Sequence, residues 1–133
     1  MAVTGPDQAM NVDARPYEAP DGLEGPLDFR VAVSREGPHV VVEVSGEVDV
    51  YTAPQLRQVL MDVIDGRGVD VLDVDLAHLG FIDSTGLGVI VGALRRIRAD
   101  GGDLRLLNPR PGVEKALQIT GLADILRVVV SRP

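Results

Sequence analysis

Apolar and polar side chains alternate from Phe29 to Ser34, with Phe29, Val31 and Val33 set against Arg30, Ala32 and Ser34. A period of two predicts a strand. Glu36-Gly37-Pro38 interrupts it, and His39 to Val44 resumes as a second strand, so the pair reads as an antiparallel hairpin. After Gly46-Glu47-Val48-Asp49 the period changes. Leu56, Val59, Leu60, Val63 and Ile64 fall at i, i+3, i+4, i+7 and i+8, the stripe of an amphipathic helix. Thr52 is placed to cap it, Pro54 fits its first turn, and Gln55 would complete a capping box with Thr52. Gly66 and Gly68 end it.

Val69 to Leu76 predicts a third strand, and Gly80-Phe81-Ile82-Asp83 leads into a second helix reaching about Ala99, with Leu87, Ile90, Val91, Leu94 and Ile97 on one face. Asp100-Gly101-Gly102 stops it. Leu104 to Leu107 is a fourth strand and Asn108-Pro109 a turn. A third helix runs from Pro111 to Thr120 with Val113, Ala116 and Leu117 inward, closed by Gly121 with Leu122 behind it. Ile125 to Val130 supplies the last strand. The order ββαβαβαβ predicts an α/β fold: a mixed, mostly parallel sheet of about five strands with an antiparallel N-terminal edge hairpin. In such sheets the strand-to-helix turns gather at one end, where sites form. Two turns qualify, Glu47–Thr52 and Gly80–Gly86.

Residues 1–27 do not fit this scheme. Gly5, Pro6, Pro16, Pro20, Gly22, Gly25 and Pro26 punctuate a segment poor in large apolar groups. That composition predicts a flexible extension, with one folded domain over 28–133. The chain has 133 residues, enough for one core. No apolar run approaches a membrane span, and no secretory signal is legible, so a cytoplasmic location is expected. The net charge of −7 argues against nucleic acid as the main partner, since phosphate binding needs clustered Lys or Arg. Arg95, Arg96 and Arg98 do cluster, but on a helix face expected to be solvated.

Chemistry is concentrated in Phe81-Ile82-Asp83-Ser84-Thr85-Gly86-Leu87-Gly88. Two hydroxyls and a carboxylate stand there at a helix start, where backbone N–H groups lack intrahelical partners. Ser84 or Asp83 could cap the helix, and the same geometry accepts a phosphate. A serine hydrolase does not fit. Its nucleophile elbow needs glycine two residues before the serine, where Ile82 stands, and neither His39 nor His78 lies in a triad context. Gly86, Gly88 and Gly92 miss the dinucleotide spacing, and no P-loop exists. Asp70, Asp73 and Asp75 alternate along a strand and read as a solvated row rather than a metal site. No cofactor and no metal is expected.

Gly46-Glu47-Val48-Asp49-Val50-Tyr51-Thr52-Ala53-Pro54, followed by Asp83-Ser84-Thr85-Gly86-Leu87-Gly88, resembles the anti-sigma factor antagonists, the bacterial STAS domains. The likeness covers about residues 28–132 and implies a STAS-like fold without enzymatic activity. It further implies a partner, an anti-sigma factor that is also a GHKL-type serine kinase. The unphosphorylated antagonist holds this kinase and so frees a sigma factor. Phosphorylation breaks the complex, and a PP2C-type phosphatase restores it. Carried over residue by residue, the phosphorylated group is Ser84, and the partner surface comprises Asp49, Asp83, Ser84, Thr85 and Gly86. The alternative is a STAS scaffold or ligand-sensing module that is never phosphorylated.

Overall fold

A computed structural model describes residues 29–66 and 68–130, so the expected extension lies outside the described residues. Strands β1 (Arg30–Glu36) and β2 (His39–Val48) form the hairpin, followed by helix α1 (Ala53–Asp65) and strand β3 (Val71–Ile82). Helix α2 (Ser84–Ala99), strand β4 (Asp103–Leu107), helix α3 (Pro111–Ile119), a short 3-10 turn (Leu122–Asp124) and strand β5 (Arg127–Val129) complete the domain. The sheet order is β1-β2-β3-β4-β5, antiparallel between β1 and β2 and parallel thereafter. The expected fold class and element order are both present.

Stepping one strand at a time in one direction with right-handed crossovers places all three helices on the same face. The burial pattern agrees. Val40, Val42 and Val44 of β2, Leu72, Val74 and Leu76 of β3, and Leu104 and Leu106 of β4 are buried beneath the helical stripes. From the helices, Leu56, Leu60 and Ile64 of α1, Ile90, Leu94 and Ile97 of α2, and Val113 and Leu117 of α3 join the same core. Gly121 adopts φ +78° after α3, the left-handed conformation that its place in the sequence anticipates.

Three expectations are corrected. β2 runs on through Gly46 to Val48, and β3 continues past Leu76 to Ile82. The register between them slips twice, between Glu43 and Ser45 and between Gly46 and Glu47, leaving β3 with extra residues. Such bulges break the period of two, which is why alternation alone ends the strand early. The Asp75 side chain accepts from Ala77 N–H (3.0 Å) at the first irregularity. At the C-terminal end, Ile125 and Leu126 belong to the approach to β5, which is only three residues long.

Asp73 is the third correction, because it is not solvated: its side chain is 2% exposed. It lies on the helix-free face, across from Arg105 in the β3–β4 register. Arg105 grips it through Nε to Oδ1 and Nη2 to Oδ2, both 2.7 Å, and His39 Nε2 stands 2.5 Å from Oδ2. Burial pushes the carboxyl pKa up, but the hydrogen bonds from Arg105 and His39 outweigh it and hold the group below its usual range. Asp75 is half-buried and Asp70 exposed, so the three do not act as a row.

Candidate functional site at the strand ends

The parallel pair β2–β3 ends with Val48 opposite Ile82. The next residues are Asp49 and Asp83, so the register sets the two motif aspartates at adjoining strand ends. Asp83 N–H donates to Val48 O at 3.0 Å and ties the two turns together.

Asp83 is the N-cap of α2. Its Oδ1 accepts from Gly86 N–H at 3.0 Å, and its carbonyl accepts from Leu87 N–H, also at 3.0 Å. This arrangement leaves the Ser84 hydroxyl out of the capping role, and both Ser84 and Thr85 are exposed. The two hydroxyls open onto different sides of α2. Ser84 lines a shallow groove toward Thr120 and Leu122, while Thr85 lines one toward Arg57 and Met61 of α1.

Gly86, expected in the partner surface, is buried at the first turn of α2. A Cβ there would stand 2.6 Å from Val48 Cγ1 and 2.7 Å from Ile82 Cγ1. The glycine lets the first turn of α2 settle onto the ends of β2 and β3, and this fixes where Ser84 sits.

The β2–α1 turn is built differently from the expected capping box. Thr52 holds the N-cap position of α1, but its side chain makes no cap to the helix. Instead its hydroxyl donates to Glu47 O (3.0 Å) and accepts from Asp49 N–H (2.9 Å), buried to 5% exposure. A hydroxyl turned back toward the strand cannot also reach the helix amides. Asp49 Oδ1 accepts from Tyr51 N–H (2.9 Å) and Thr52 N–H (3.1 Å). The turn carries Val50 and Tyr51 outward, 57% and 82% exposed, and Phe81 stands beside it at 48%. These apolar groups escaped sequence reading, because isolated apolar residues next to a turn carry no periodic signal.

The site thus offers a free hydroxyl at a helix N-terminus, where the macrodipole favours negative charge. Among the described residues, no group of three or more His, Asp or Glu is arranged to hold a metal ion. No described helix is long and apolar enough to cross a membrane.

Fold and site together define a mixed α/β domain with an exposed hydroxyl at the start of a helix. The STAS domain profile matches residues 23–132, and the chain belongs to that family. The anti-sigma-B factor antagonist of Bacillus subtilis strain 168 is 36% identical over 102 residues, covering 77% of this chain and 92% of the relative. The solved structure of the anti-sigma factor antagonist SpoIIAA in its unphosphorylated form has a TM-score of 0.69 at 28% identity, covering 77% of this chain and 88% of that one. The structure of the Bacillus cell fate determinant SpoIIAA in its phosphorylated form has a TM-score of 0.63 at 27% identity, covering 77% and 91%.

Proposed function

We propose that this chain is an anti-sigma factor antagonist: it binds an anti-sigma factor of the GHKL serine-kinase type and is switched by phosphorylation of Ser84. The carrying observation is the division of labour at the α2 start. Asp83 caps the helix, so the exposed Ser84 hydroxyl can be modified without removing a structural bond. The relatives support the role through their names, and the SpoIIAA structures in two phosphorylation forms support the switch. A PP2C-type phosphatase would reverse it. We place this exchange in the cytosol, where ATP and sigma factors meet.

The physics of release is electrostatic. A phosphate adds about −1.5 to −2 charges beside Asp83 and Asp49. The helix N-terminus stabilises that charge within the domain, so the fold persists. The partner surface, matched to a neutral hydroxyl, meets like charge instead. Such a juxtaposition costs several kcal/mol at an interface and lowers affinity by orders of magnitude.

Intact mass after treatment with kinase and ATP tests the reading. Wild type and Thr85→Ala should each gain one phosphate and Ser84→Ala none. Ser84→Asp should bind the kinase at least about tenfold more weakly, a difference of about 1.4 kcal/mol. Phosphate on Ser84→Ala, with Thr85→Ala blank, would move the switch by one residue. No phosphate on any of them, with a kinase that binds, would favour the scaffold reading.

A further inference from the structure

We infer that Asp49 serves partner recognition as a positioning residue, by building the turn that projects Tyr51, and that Tyr51 together with Phe81 forms the apolar contact taken by the anti-sigma factor. This rests on the functional reading above and specifies which groups of the surface make the contact.

The Asp49 side chain is committed to its own turn. Oδ1 receives two backbone amides, those of Tyr51 and Thr52, and lies 3.2 Å from Thr52 Oγ1. The Asp49 carbonyl accepts from Thr52 N–H (3.2 Å) and Ala53 N–H (2.8 Å), joining the turn to the first residue of α1. The buried Thr52 hydroxyl bridges Glu47 O and Asp49 N–H and locks the other side of the turn. A turn held at this many points gives residues 50 and 51 one preferred direction, and that direction is away from the core.

Three of the chain's four Phe and Tyr residues are described. Phe29 is buried at 5% exposure, whereas Tyr51 and Phe81 are exposed. Both exposed rings lie at the strand ends that carry Ser84. Phe81 pairs with Glu47 across the β2–β3 ladder, two residues from Asp49 in one strand and three from Ser84 in the other. Aromatic rings give large contact area for few rotatable bonds, which is why Tyr is enriched among interface residues that dominate binding. A partner of ordinary interface size that spans the strand ends around α2 covers these rings together with Ser84. Its matching surface is apolar with a polar rim, and its departure when Ser84 gains charge exposes the rings again.

Purified GHKL-type anti-sigma kinases of the source cell are the probes, with dissociation constants measured by calorimetry. Tyr51→Ala should weaken the kinase bound by wild type by about tenfold or more while the melting temperature stays unchanged. Asp49→Ala should weaken it as well, with faster amide exchange at Tyr51 and Thr52. Asp49→Asn keeps an acceptor oxygen and removes the charge, so it should retain affinity within about threefold and keep the amides protected. Asn binding as weakly as Ala, with protected amides, would show that the partner reads the carboxylate itself and overturn the positioning role. Unchanged affinity in Tyr51→Ala would overturn the apolar contact. If no kinase binds or phosphorylates wild type, the functional reading fails and this inference fails with it; the first two failures leave that reading intact.

Discussion

Replacing Asp73 by alanine tests the polar cluster on the helix-free face. The substitution removes a carboxylate that is 2% exposed and leaves Arg105 and His39, 31% and 42% exposed, without their shared acceptor. Removing one partner of a fully buried ion pair costs about 3–5 kcal/mol. Here Arg105 and His39 sit on an open face and recover part of their hydration, so the expected loss is about 2–3 kcal/mol at pH 7. Urea denaturation followed by circular dichroism should show the midpoint falling with the slope unchanged. The Asp73→Ala/Arg105→Ala double variant should lose less than the sum of the single losses, because the two residues share one interaction. The pH dependence has a fixed sign. The folded carboxyl is depressed below its ordinary value of 3.8, so its contribution is fully present above that pH and disappears as pH falls through the folded value. The gap between wild type and Asp73→Ala should therefore narrow below about pH 4. A loss under about 1 kcal/mol at pH 7, or a gap that persists in acid, would refute the reasoning.

Thr52→Val, nearly isosteric, should cost about 1–3 kcal/mol in chemical denaturation, because Glu47 O and Asp49 N–H both lose a buried partner; Thr52→Ser should lose much less. Gly86→Ala should destabilise by about 1–3 kcal/mol and slow Ser84 phosphorylation, since the new methyl must displace Val48 or Ile82. Unchanged unfolding and phosphorylation would show that α2 tolerates the shift. A chain beginning at Leu27 should melt within a few degrees of full length, and a large drop in calorimetry would show that residues 1–26 contribute to the fold.

Legibility followed the strength of each local signal. The stripes of α1 and α2 and the left-handed Gly121 were readable because 3.6-residue spacing and glycine placement each have one dominant physical cause. The far halves of β2 and β3 were not, since bulges at Gly46 and around His78 and Gly80 erase the alternation that marks a strand. Asp73 shows a different limit. Its neighbours along the chain look like a solvated strand face, and only the register that brings Arg105 and His39 to it explains its burial. At the candidate site the motifs located both turns but not the hydrogen bonds within them. Thr52 could face forward to the helix or backward to the strand, and sequence spacing does not distinguish the two. The motif also did not show that the missing side chain of Gly86 serves the interior.

The hydrogen bond from Asp83 to the end of β2 has a kinetic consequence. It ties two turns from different parts of the chain into one rim. A partner landing on that rim has little local ordering to impose, and ordering typically costs about 0.5–1.5 kcal/mol per immobilised side chain. Encounter then proceeds at an ordinary docking rate, and changes at the rim register mainly as changes in residence time. Under the proposed switch, charge added there would shorten the lifetime of a complex and, through like-charge repulsion, also slow its formation.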